Sequence, residues 1–213
     1  MTTRATPGRT TAPNRRERGK ADRRRRLFDC AMRLYVEHGF DAVTVEQITA
    51  AADVAKGTFF NYYPTKTHVL LEYHAKIAEE ALAAGERMSG DRARALFGRF
   101  LRKMASIARR DGRAFDVLVR QAVAQPQLSA ADEQTAPRTL ALYGRFLRTG
   151  VEAGELRPDL DFHLASLLIG DLWTGTILEW TLGGHGFSLQ QRLIAKLDLL
   201  FDGLCARRQC GET

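Results

Sequence analysis

The chain has 213 residues, 45% of them hydrophobic, enough for a real core in one large or two modest domains. Its three cysteines, Cys30, Cys205 and Cys210, are too few and too scattered for a disulfide scaffold or a zinc site, which favours a reducing cytoplasm. The formal charge of +7 is unevenly placed: residues 1–26 hold ten Arg or Lys and two acids, so the remainder is close to neutral. A basic arm of this kind suits nucleic acid, and an anionic membrane surface or a solubilising tail are the other readings it permits. The N-terminal stretch lacks an apolar core, so no secretory signal is expected. The apolar run 164–182 carries Asp171 and Glu179 and reads as a buried helix, not a membrane span.

Residues 1–19 hold Pro7, Gly8, Pro13 and Gly19 among Thr and Arg and are expected to form a disordered basic arm. A first helix is predicted over about 21–38, with Leu27, Cys30, Ala31, Leu34 and Tyr35 on one face and Gly39 as its C′ residue. Arg23, Arg24, Arg25 and Arg26 open it and oppose its dipole, a cost that phosphate contacts would offset.

Thr44–Lys66 is the stretch around which the chain is organised. Thr44 is an N-cap with Gln47 three residues on, the spacing of a capping box, and Val45, Ile48 and Ala52 share one helical face. Ala52-Asp53-Val54 reads as a tight turn, since Asp tolerates left-handed backbone better than most residues. A third helix is predicted from about Ala55 to Tyr63, stopping before Pro64. Phe59 and Tyr63 would point inward, and Lys56, Gly57, Phe60, Asn61 and Tyr62 would lie outside them. A short helix with that outer face fits the major groove of DNA; a surface hairpin covering a core edge is the alternative.

This run resembles the helix-turn-helix of the TetR family of transcriptional regulators. The likeness lies in Gly39-Phe40, Thr44-Val45, Ile48 with Ala52, and Lys56-Gly57-Thr58-Phe59-Phe60, then Tyr62-Tyr63-Pro64 and Lys66, and it covers roughly residues 20–75. It departs at Phe60, where the family usually carries Tyr, and at Asp53, where Gly is common. The resemblance implies an all-α protein of about nine helices: a three-helix DNA-binding head over 20–66 and a helical ligand-binding and dimerisation domain over 67–213. It also implies a repressor that binds a palindromic operator in double-stranded DNA as a homodimer and is released by a small-molecule inducer. On this reading Lys56, Gly57, Thr58, Asn61 and Tyr62 face the major groove with Phe60 beside them, and Lys56 bonds guanine. Thr44 and Lys66 clamp phosphates, and Arg23 to Arg26 add a sequence-independent hold. The alternative is a basic-arm adaptor at a membrane surface or in a protein complex, without sequence-specific DNA binding.

A fourth helix is predicted from Pro64 or Thr65 to about Ala84. Three more follow: about 92–110, about 114–125 ended by Pro126, and one reaching 153 from a start at Ser129 or Thr135. The last two run over about 161–181 from an Asp161 cap and onward from a Ser188 cap with Gln191 at N3. Both of these are apolar on more than one face. A second copy would cover the surplus, with Leu168, Leu172, Trp180, Leu193, Leu197, Leu200 and Leu204 as candidates; two central core helices are the alternative.

For a ligand, Phe97, Phe100, Met104, Phe115, Phe146 and Trp173 are candidate wall residues, and Arg120, Tyr143 and Asp171 candidate polar anchors. Ordinary packing is the competing reading. Asp171 and Glu179 either line a cavity or pair with a neighbour such as Arg120. The expected ligand is largely apolar, aromatic or cationic rather than a sugar phosphate. The sequence carries no glycine-rich phosphate loop, His-Glu-x-x-His, Cys-x-x-Cys or nucleophile elbow, so no catalytic residue, metal or cofactor and no membrane partner are expected.

Overall fold

The computed structural model describes residues 15–125, 128 and 131–204, apart from the side chains of 15, 131–134 and 204. Among these residues there are nine helices and no strand: α1 (Arg15–His38), α2 (Val45–Ala51), α3 (Lys56–Phe60), α4 (Thr67–Glu86), α5 (Ala93–Asp111), α6 (Arg113–Ala124), α7 (Ala131–Glu152), α8 (Phe162–Leu182) and α9 (Leu189–Leu204). The all-α expectation holds. The chain divides into two units, 1–66 and 67–213.

In the first unit, α1 begins six residues before its expected start, so Arg15 to Gly19 are helical rather than part of a disordered arm. Arg, Lys, Glu and Ala are good helix formers, and Glu17 in the first turn answers the helix dipole. The rest of the expected arm, residues 1–14, lies outside the described residues. Leu27, Ala31 and Tyr35 of α1 are fully buried with Ile48 of α2 and Phe59 of α3. Gly39 ends α1 at φ 82, as a C′ glycine does, and its N–H donates to the Tyr35 carbonyl. Thr44 and Gln47 form the capping box reciprocally, and Asp53 takes the left-handed turn at φ 50. α3 is shorter than expected. It ends at Phe60 because the Tyr62 and Tyr63 amides both turn back to the Phe59 carbonyl, tightening the last turn ahead of Pro64.

In the second unit, α5 packs against α4, α6, α7 and α9, while α8 packs against α6, α7 and α9. Its centre is aromatic: the Phe97 ring meets Tyr143 at 5.4 Å and Phe146 at 5.1 Å, both edge to face. α7 opens at Ala131, ahead of Thr135, and carries Pro137 inside it; Ser129 and Pro126 lie outside the described residues. Asp161 caps α8 by accepting from the Leu164 amide at 3.0 Å.

Three proposed dimer residues belong instead to the protomer's own core. Leu193 and Leu197 are 0% and 1% exposed, on the face that α9 turns to α5, and Trp180 is buried with its Nε1 donating to the Phe187 carbonyl. Leu172 and Leu200 are half-buried against the same core, and the side chain of Leu204 lies outside the described residues. Both apolar faces of these helices were visible in the sequence, but helical periodicity does not say which one the protomer keeps.

Candidate nucleic-acid interface and ligand cavity

In the first unit α2 and α3 pack together across the Asp53 turn, and α3 is anchored from beneath by Phe59 and Tyr63, whose rings lie 5.5 Å apart. That leaves Lys56, Gly57, Phe60 and Asn61 exposed, with Thr58 and Tyr62 half-buried beside them. A Cβ at Gly57 would meet nothing within 4 Å, so nothing inside the fold requires glycine there, and its missing side chain matters only to what approaches from outside. Phe60 is 47% exposed, an aromatic ring held out to solvent.

Two contacts change the expected roles. Lys56 forms an ion pair with Glu46 of α2, which sequence reasoning passed over; only the folded turn brings positions ten apart together. The Lys56 hydrogen bond is the largest cause holding the Glu46 carboxyl below the usual range. Lys66, expected to clamp a phosphate, donates instead to the carbonyls of Phe40 (2.8 Å), Asp41 (3.3 Å) and Val43 (3.1 Å), with its ammonium 4.4 Å from the Phe40 ring centre. An ammonium has three hydrogens, so all of its donors are engaged in bracing the α1–α2 connection. The Thr44 hydroxyl accepts from the Gln47 amide. Of the arginine run, Arg24 lies over the Tyr63 ring and Arg25 pairs with Asp22, while Arg24, Arg25 and Arg26 are all exposed and Arg23 is half-buried.

In the second unit a half-open cavity of about 450 Å³ is lined by residues of α4, α5, α6, α7 and α8. Of the proposed ligand residues, Phe100, Met104, Phe115, Tyr143, Asp171 and Trp173 line it. Phe97 and Phe146 do not; both are fully buried in the core behind it. Arg120 also does not, because its guanidinium donates to the Thr181 carbonyl at 3.1 Å, so the suggested Arg120–Asp171 pair is not formed. Glu179 is bound by Arg192 at 3.0 Å and Lys196 at 3.2 Å, an α8–α9 contact away from the cavity. Ser166 and Thr139, which were not singled out in the sequence, also line the space, as does His74. Polar residues on mostly apolar helices give no signal until the helices are placed.

Residues 27–73 match the family model described as bacterial regulatory proteins, tetR family. The transcriptional repressor KstR of Rhodococcus jostii is 33% identical over 69 residues, 32% of each chain. The transcriptional regulator TcmR of Streptomyces glaucescens is 37% identical over 84 residues, 39% of this chain and 36% of that one. The chain thus matches about a third of the length of these curated relatives. Along nearly its whole length it is similar to the crystal structure of the Thermus thermophilus repressor FadR in complex with lauroyl-CoA. The TM-score there is 0.71 and the identity 27%, covering 89% of this chain and 99% of that one.

Proposed function

We infer that this chain, which belongs to the TetR family, is a transcriptional repressor that reads an operator in double-stranded DNA and is released by a small molecule. The observation that carries the reading is the α2–turn–α3 unit, with a capped α2, a left-handed Asp53 and an outer face of Lys56, Gly57 and Asn61 over a buried Phe59. Lys56 is suited to guanine and Asn61 to a base edge or phosphate; Gly57 lets the backbone approach, and the half-buried Thr58 and Tyr62 hydroxyls are placed for phosphates. The exposed arginines of α1 add affinity without sequence preference.

The operator is a palindrome and the protein a homodimer, because a short recognition helix reads only a half-site. The face that supports pairing is the outer one of α8 and α9. Leu164 (54% exposed), Leu168 (42%) and Leu182 (57%) lie along α8, with Leu199 (74%) on α9. The ligand portion held in the cavity is mainly apolar, and the acyl chain of the lauroyl-CoA bound to the FadR relative supports that character. It occupies the cavity of the second unit and releases DNA by binding the DNA-incompetent population more tightly; equal affinity for both populations would shift nothing.

A gel-shift assay with excess non-specific competitor tests this. Retention of a palindromic duplex over its scrambled counterpart, lost on adding a cavity ligand, is expected. Equal retention of both duplexes would instead support the basic-arm adaptor.

A further inference from the structure

Within the reading of the cavity as the inducer site, its polar groups restrict what the ligand is. Tyr143 lines the cavity while being only 3% exposed. Its ring is fixed edge to face against Phe97 at 5.4 Å and Phe100 at 5.8 Å. Its hydroxyl makes no hydrogen bond to another described residue and, unlike the buried and unpaired Thr181 Oγ1, is open to the cavity space. Of the other hydroxyls in the wall, Thr139 donates to the Thr135 carbonyl at 3.1 Å and Ser166 to the Phe162 carbonyl at 2.7 Å, while Thr174 is solvent-exposed. Burial pushes the Tyr143 phenol up, so it stays a neutral donor.

The charge in the wall points the same way. Among the described residues lining the cavity there is no Lys or Arg; Asp171 supplies a carboxylate and His74 an imidazole. An anionic group drawn inside would give up water and face Asp171, with the His74 imidazole as its one basic partner among the described wall residues. A volume of about 450 Å³ holds on the order of fifteen non-hydrogen atoms at the density of a liquid, in which a water takes ~30 Å³.

We propose that the ligand portion seated in this cavity is uncharged and mainly hydrocarbon, and that it carries one acceptor oxygen, as in a ketone, ester or alcohol, which receives the Tyr143 hydroxyl proton. Free carboxylates and phosphates are excluded from the cavity itself.

Two matched probes of ten carbons test this on the full chain: decan-2-one and decanoate, titrated at pH 8 and followed by Trp173 fluorescence and calorimetry. Decan-2-one is expected to bind at least about tenfold more tightly than decanoate. Tyr143→Phe, which removes only an unpartnered hydroxyl, should weaken the ketone about two- to tenfold, the worth of one hydrogen bond, and leave DNA binding and the thermal midpoint unchanged. Decanoate binding as tightly as the ketone, a ketone affinity indifferent to Tyr143→Phe, or no ketone binding up to its solubility limit would overturn the proposal. Gly170→Leu separates this from the reading beneath it. Gly170 lines the cavity, a Cβ there meets nothing within 4 Å, and the added side chain should block the probe. Ketone binding that survives Gly170→Leu unchanged places the ligand elsewhere and overturns the cavity reading together with the proposal.

Discussion

At the surface of the first unit the Lys56 ammonium is held by the Glu46 carboxylate, and both side chains are more than half exposed. A lysine tethered in this way is directed toward one position instead of sweeping across neighbouring phosphates. Lys56→Ala is expected to relax specificity at one base pair, at a cost of about 1–3 kcal/mol there. Glu46→Gln should raise affinity for unrelated DNA while narrowing the gap to the specific site, because it frees Lys56 and removes a charge that repels phosphate. Site selection on the two variants checks both outcomes, and sequence logos identical to wild type would remove the pair from base reading. Lys66 makes the opposite case. With its three donors on backbone carbonyls, Lys66→Met should destabilise the first unit by roughly 1.5–3 kcal/mol. The salt dependence of DNA binding should be unaltered, whereas loss of a phosphate contact would flatten the slope by about 0.9. The sequence identified Lys66 as significant but not what it touches, because the carbonyls it braces lie more than twenty residues away.

Among the elements, α4 is held hardest at its C-terminal end. Arg145 donates to the carbonyls of Gly85 and Met88, both at 2.9 Å, and Arg138 pairs with Glu79 and Glu86. A Cβ at Gly85 would come within 2.5 Å of Leu142 and 2.9 Å of the Phe100 ring, both buried. Gly85→Ala should therefore cost about 1–3 kcal/mol from overpacking, less the ~1 kcal/mol that alanine gains in a helix, as a thermal denaturation series would measure. Arg138 hydrogen-bonds Glu79, and Lys103 followed by Arg110 hydrogen-bonds Glu80; these contacts hold both carboxyls below their usual range. Groups whose folded pKa is depressed contribute stability above the unfolded value, and that contribution is lost as pH falls through the folded one. The thermal midpoint should accordingly drop below about pH 4, and Arg138→Gln should reduce the drop. Capping residues such as Thr44 and Asp161 made the helix starts at these points readable in the sequence, because a cap is a local hydrogen bond. The start of α1 was misjudged where Gly19 and the arginines looked like a tail. The face that α9 buries was misjudged because two apolar stripes carry equal weight until α5 claims one of them.

At the scale of the whole molecule, charge and apolar surface are separated along the chain. The basic half of α1 belongs to the first unit, and the exposed leucines of α8 and α9 belong to the second. Leu168→Glu with Leu199→Glu should give a folded monomer with weakened operator binding, read by light scattering and gel shift. Leu193→Glu should unfold the second unit instead, since it places a carboxylate in the core. No helix among the described residues is long and apolar enough to cross a membrane. On the proposed function the α2–α3 surface reads sequence, in pairs. The most direct test of that reading is selection of binding sites from a random duplex library by the full chain at physiological salt. An enriched inverted repeat is predicted, with half-site centres about 10 base pairs or a multiple of that apart. A recovered pool no different from the starting library would contradict it.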